Sequence, residues 1–279
     1  MTDTPTSATT STPGRPTVAS VLADLLAEQA ALDLIVADLD DAGWATPTPS
    51  ERWSVADQIG HLAHFDQTAA WAIVDEARFT ESLHELMAGL TGEASPAEVD
   101  DLTLGRFRAM SPSDLLAAWR DNRAELAAAA ATLADDTRVI WYGPSMGAKS
   151  FLTARLMECW AHGQHVVDAL GATREATDRL QHIAQLGFIT RGWTYMNRGL
   201  EVPAVAIRVE LTAPSGAVWS FGPDDAKQSV VGSAEDFCLV VTQCRHVDAT
   251  DLVVIGDAAC EWMAMAQAFA GGATDGPTA

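Results

Sequence analysis

The chain has 279 residues, enough for one large or two ordinary domains, and 48% of them are hydrophobic, with nine tryptophans to fill a core. Seventeen Lys and Arg stand against 38 Asp and Glu, a net charge of −21. Nucleic acid and anionic membranes are poor partners for such a balance, because both call for a basic face that displaces counterions.

Residues 1–17 are rich in Thr, Ser and Pro and lack the basic and apolar regions of a signal peptide, so they read as a disordered leader. No stretch approaches the roughly 18 uninterrupted apolar residues of a membrane span. Cys159, Cys238, Cys244 and Cys260 form no CxxC pair and read as free, buried thiols, which points to a cytoplasmic protein.

Apolar residues at helical spacing (Leu22, Leu25, Leu32, Ile35, Leu39) predict a first helix over Val18–Ala42. Trp44–Trp53 holds a Thr-Pro-Thr-Pro-Ser run that no helix continues through. Ser54-Val-Ala-Asp57 then has the pattern of a capping box and opens a second helix through His61 to about Arg78. Leu83–Leu90 and Pro96–Arg108 read as short helices, and Ser111-Pro-Ser-Asp114 starts a long one ending near Leu133. After a loop bearing Trp141 and Tyr142, a fourth long helix runs from Ser150 to Gly171. Thr177–Arg198 predicts one further helix. Alternation at Val205, Ile207, Val209 and Leu211 then marks a strand, Ala217–Phe221 its return and Ser229–Val231 a third, in a small antiparallel sheet. Helices follow after Ser233 and over Asp257–Ala270. The expected architecture is therefore mainly α with an α+β part: a leader (1–17), a four-helix bundle (18–175), a small α+β domain (176–271) and a disordered tail (272–279).

Two runs carry the chemistry: His61-Leu-Ala-His64 and Glu158-Cys-Trp-Ala-His162-Gly-Gln-His165. Residues three, four and seven apart share a helix face, so Glu158, His162 and His165 form one stripe and His61 and His64 another. Three imidazoles, or two imidazoles and a carboxylate, offered from two rods can hold a divalent metal with a coordination position open. The competing reading is that these are satisfied core or surface residues. Clustering of four of the seven histidines, and the cost of burying an ionised Glu158 beside Leu156 and Trp160, favour the metal.

The segments Trp53-Ser-Val-Ala-Asp-Gln-Ile-Gly-His61-Leu and Ala154-Arg-Leu-Met-Glu158-Cys-Trp-Ala-His162-Gly resemble the DinB-like metal-binding superfamily. Within it the chain is most similar to actinobacterial proteins related to mycothiol-dependent maleylpyruvate isomerase. Leu211-Thr-Ala-Pro-Ser-Gly216, Asp236–Gln243 and Glu261–Gly271 resemble the closing segments of that family. The resemblance implies a DinB-like four-helix domain joined to a small α+β domain of sterol-carrier-protein-like type. It also implies His61, Glu158 and His162 as the metal ligands. His165 and His64 lie outside its pattern and stand as an additional ligand or an acid/base pair.

A His₂Glu set suits Zn²⁺ first, with Fe²⁺, Ni²⁺ and Mn²⁺ admitted by ligand type. The resemblance further implies mycothiol as co-substrate, and an isomerase or S-transferase acting on a small electrophilic molecule. Two alternatives stay open: a thiol-independent metal enzyme, and a non-enzymatic metal-stabilised protein that binds a small ligand. Arg191, Arg198 and Arg245, scarce cations in an acidic chain, and Trp141 and Tyr142, just before the ligand helix, are candidates for substrate or thiol binding. The chain is expected to act as a monomer or homodimer.

Overall fold

The structure is a computed structural model that describes residues 16–90 and 95–278. It divides into two compact units, Pro16–Arg174 and a second beginning at Glu175.

The first unit contains α1 (Val18–Val36), α2 (Asp41–Trp44), α3 (Val55–Val74), α4 (Glu76–Gly89), α5 (Pro96–Arg108), α6 (Pro112–Ala130) and α7 (Ala148–Leu170). A short antiparallel pair, β1 (Arg138–Val139) and β2 (Met146–Gly147), precedes α7. The long helices α1, α3, α6 and α7 form the bundle: α3 packs on α6 and α7, and α1 closes the ring against α7 and α6. Leu25, Leu32, Ile59, Leu62, Trp119, Leu126 and Phe151 fill its core. The predicted capping box is present: Ser54 Oγ accepts from Asp57 N, and Asp57 Oδ2 accepts from Ser54 N.

The helix boundaries differ from the sequence reading where a side chain offers the backbone a better partner. The first helix stops at Val36, because Asp40 caps a separate turn by accepting from Gly43 N at 2.8 Å. The second stops at Val74. Asp75 leaves helical geometry (φ −146°, ψ 72°) and its carboxylate accepts from Arg78 N, starting α4. Gly89 ends α4, and a Cβ there would lie 2.4 Å from the Leu102 side chain of α5, so the close approach calls for glycine. The last long helix ends as expected at Gly171, whose φ of 59° suits glycine.

In the second unit α8 (Leu180–Ile189) and α9 (Arg191–Met196) replace the single expected helix. They part at Thr190, whose hydroxyl donates to Leu186 O at 2.8 Å. Strands β3 (Ile207–Thr212), β4 (Val218–Phe221), β5 (Gln228–Ser233) and β6 (Val253–Ile255) form a sheet in the order β4-β3-β5-β6. The sheet is mixed rather than antiparallel. Residues 222–227 carry the chain from β4 across to the other edge of β3, so β5 runs parallel to β3. β6, just before the last helix, pairs antiparallel with β5. Helices α10 (Ala234–Val241) and α11 (Asp257–Met265) complete the unit, with Val209, Leu211, Val230, Phe237 and Trp262 buried.

Three sequence expectations need restating. The leader lies outside the described residues except for Pro16 and Thr17, and Thr17 caps α1. At the start of the polar tail, Thr274 Oγ1 donates to Gln243 Oε1 at 2.5 Å, and Gln267 Nε2 donates to Gly272 O at 3.0 Å. Among the cysteines, Cys159, Cys238 and Cys244 are buried but Cys260 is exposed, since its side of α11 faces solvent. Among the described residues no helix is long and apolar enough to cross a membrane.

An ion pair lies inside the bundle. Arg155 Nη2 of α7 donates to Asp66 Oδ1 of α3 at 2.9 Å, and Gln29 Nε2 of α1 donates to the other carboxylate oxygen at 3.0 Å. Both charged side chains are only 3% exposed. Removing one partner strands a buried charge, so Arg155→Met alone should cost about 3–5 kcal/mol in urea unfolding. The double variant Asp66→Leu/Arg155→Met should cost less than either single change.

Candidate metal centre

One turn of α7 beyond that ion pair, the two histidine runs meet. His61 Nε2 lies 3.4 Å from Glu158 Oε2, and His162 Nε2 lies 3.2 Å from the same oxygen. The donor atoms of all three side chains fall within 4.8 Å of one another. The two imidazole centroids are 4.2 Å apart. Helix spacing accounts for half of this, since Glu158 and His162 are one turn apart on α7. The packing of α3 on α7 supplies His61.

The loop before α3 closes one side. Pro47 and Pro49 keep it out of helix, and Thr48 N donates to Trp53 O at 2.8 Å. Arg52, at φ 67°, turns the chain so that Trp53 faces the centre. The Trp53 ring stacks on His162 at 5.8 Å and tilts against His61 at 5.1 Å. Phe65, one turn after His61, lies 4.6 Å from it. The polar atoms behind the site are also occupied. His162 Nδ1 is 2.6 Å from Gln58 Oε1, while Gln58 Nε2 donates to Thr48 Oγ1 and Ser50 Oγ.

Burial pushes His61 down to about 3, aided by the neighbouring His162 imidazole and opposed by its contact with Glu158. Burial also acts to raise Glu158, but its contacts with the His162 and His61 imidazoles outweigh it and hold the carboxyl well below its usual range. The centre therefore offers a carboxylate anion and a neutral His61 at physiological pH. Arg155 does not neutralise that anion, since its guanidinium is engaged by Asp66. An N₂O donor set that includes a carboxylate fits a divalent transition metal. The three side chains remain 16%, 24% and 17% exposed, so one side stays open for a further ligand.

The other sequence candidates sit elsewhere. His165 is not part of the cluster: its ring is 6.1 Å from that of His162, and its Nδ1 lies 2.8 Å from Ser50 Oγ. His64 packs edge-on against Phe65 at 4.9 Å. Tyr142 also meets Phe65, at 5.4 Å, so it reaches the surroundings of His61 through that ring. Trp141 stacks on Phe79 and meets Phe151 edge-on. In the second unit, Arg191 donates to the carbonyls of Val205 and Pro203, Arg198 to those of Thr194 and Thr274, and Arg245 to that of Cys244. Sequence reasoning gave no role to Thr48, Ser50, Trp53 or Gln58. Gln58, three residues before His61 on the same helix face, was the available signal.

A four-helix bundle with a histidine on its second long helix and Glu-x-x-x-His on its fourth, followed by a small α+β unit, defines a DinB-like protein. The chain belongs to the mycothiol maleylpyruvate isomerase N-terminal domain family, whose model matches residues 25–166. A second model, described as wyosine base formation, matches residues 203–256. Two uncharacterized proteins of Mycobacterium tuberculosis, from strains CDC 1551 / Oshkosh and ATCC 25618 / H37Rv, are each 46% identical over 250 residues, covering 90% of this chain and 95% of theirs. The fold is shared with the crystal structure of a mycothiol-dependent maleylpyruvate isomerase (TM-score 0.54, 18% identity, 86% of this chain and 93% of that one). It is shared equally with a histidine-to-alanine mutant of that enzyme (TM-score 0.53, 19% identity, 88% and 94%).

His64 allows a test of the bundle that needs no metal. Burial, with Arg106 of α5 and Arg155 of α7 nearby, pushes it from 6.5 to about 4. Its folded value lies below its unfolded one, so it contributes stability above pH 6.5 that is lost as pH falls toward 4. Metal-free wild type should lose about 1 kcal/mol more than His64→Gln between about pH 7 and 5, after allowance for partial exposure. Urea unfolding at a series of pH values measures the difference.

Proposed function

We propose that the chain is a divalent-metal-dependent enzyme that uses a low-molecular-weight thiol such as mycothiol, as an isomerase or S-transferase on a small electrophilic substrate. The ligands are His61 Nε2, His162 Nε2 and a Glu158 carboxylate oxygen, and Zn²⁺ is the preferred ion. The observation that carries this reading is the convergence of three donor atoms, with His61 and Glu158 lying 97 residues apart in sequence. Membership of the mycothiol maleylpyruvate isomerase family, and a fold shared with an isomerase of that name, support the thiol and the reaction class.

When bound, such an ion supplies Lewis acidity that favours the thiolate form of a coordinating thiol at neutral pH. The residues of the chain provide the rest. Glu158 contributes one negative charge, so a divalent ion retains a net positive charge to attract an anionic ligand atom. His61 is held neutral, so no imidazolium has to be discharged before a metal binds. Trp53 and Phe65 cover the imidazoles and keep water from their faces. Tyr142, against Phe65, is the candidate wall for an apolar part of the substrate.

Elemental analysis of the untagged protein should find about one divalent metal per chain, lost in His61→Ala and Glu158→Ala while circular dichroism stays helical. A wild type free of metal after purification and reloading would sink the reading. With cobalt in place of the native ion, mycothiol should produce a sulfur-to-metal charge-transfer band in the near ultraviolet. A bound cobalt spectrum unmoved by the thiol would leave the metal and remove the thiol.

A further inference from the structure

We propose that Gln58, clamped by Thr48 and Ser50, sets the tautomer of His162 and so readies its Nε2 for the metal; this rests on the metal reading above. The assignment follows from counting protons. Thr48 Oγ1 lies 2.9 Å from the Trp53 carbonyl oxygen, which only accepts, so the single hydroxyl proton of Thr48 is used there. The end of Gln58 that lies 2.8 Å from Thr48 Oγ1 must then be its amide nitrogen. The same nitrogen reaches Ser50 Oγ at 3.0 Å, which employs its second proton.

The other end of the amide, the acceptor Oε1, is thereby turned toward His162 Nδ1 at 2.6 Å. An oxygen with no proton requires N–H on the imidazole side. The neutral ring then carries its lone pair on Nε2, 3.2 Å from Glu158 Oε2. Two electron-rich atoms face each other with no proton between them, an arrangement that a cation relieves. With no acceptor at position 58, the ring is free to move its proton to Nε2 and donate to Glu158. A metal would then have to displace that proton before binding.

Gln58 is fully buried, so no solvent molecule stands in for it. Ser50 closes the chain of contacts. Having accepted from Gln58, its own hydroxyl proton is available to His165 Nδ1 at 2.8 Å. His165 thus buttresses the clamp, which gives a role to a histidine that the ligand set leaves out. The proline-bearing loop is therefore more than a connector: its two hydroxyls orient the amide that orients the ligand.

Gln58 acts as a positioning residue, and the test reads the ring proton and the affinity separately. Long-range ¹H–¹⁵N spectra of metal-free, ¹⁵N-histidine-labelled protein at mildly alkaline pH report the His162 tautomer. Competition of Zn²⁺ against a chromophoric chelator reports affinity. Wild type should show the Nδ1–H form. Gln58→Leu should move the ring toward Nε2–H and weaken zinc by about 10–100-fold, the usual effect of losing such a partner. Gln58→Glu keeps an acceptor oxygen and should keep both the tautomer and the affinity within a few-fold.

Thr48→Val, a smaller change should Gln58→Leu fail to fold, should give a mixture of tautomers and an intermediate loss. An Nε2–H ring in wild type, or an unchanged tautomer in a folded Gln58→Leu or Thr48→Val, overturns the proposal even if zinc binds. Wild type that shows the Nδ1–H ring yet takes up no zinc instead removes the metal reading and upholds the tautomer assignment.

Discussion

The approach of α3 to α7 governs this chain. The contact must be apolar enough to fold, yet it carries an ion pair and, one turn further along α7, a carboxylate flanked by two imidazoles. Apolar side chains tolerate sliding, because dispersion has little directional preference. The guanidinium of Arg155 does not: its two contacts with Asp66 set both the rotation of α7 and its height against α3. Glu158 and His162 follow one and two turns later on the same rod. A directional anchor placed just before Glu158 and His162 converts general helix packing into a defined N₂O triangle.

Much of the bundle was legible in the sequence because its signals are local. The Ser54/Asp57 capping box, the Gly171 stop and the apolar spacing of the long helices act through neighbours a few residues apart. What sequence misjudged was decided by competition at single positions. Asp40 and Asp75 each offered a side-chain cap that cut a continuous apolar pattern in two. In the second unit the alternation located β3, β4 and β5, but strand direction depends on where the chain crosses the sheet. No residue pattern in 222–227 announces that crossing.

The site divides in the same way. His61, Glu158 and His162 stand out because their residue types are unusual on half-apolar helix faces. Thr48, Ser50 and Gln58 do not, since hydroxyls and amides near prolines are ordinary loop and cap residues. Their importance lies in which atom donates to which, and that becomes visible only when the loop is folded back onto α3. The arginines of the second unit show the converse. Rare in so acidic a chain, they look purposeful, and the structure employs them in fastening backbone carbonyls.

Cys159 follows Glu158 directly and belongs to the residue type with the strongest appetite for zinc. It is sealed in the core, and burial pushes its thiol well above the ordinary range. Turned toward Glu158, it would add sulfur to the nitrogen and oxygen donors there. Successive helix residues point about 100° apart, so Cys159 turns into the core while Glu158 faces the two imidazoles.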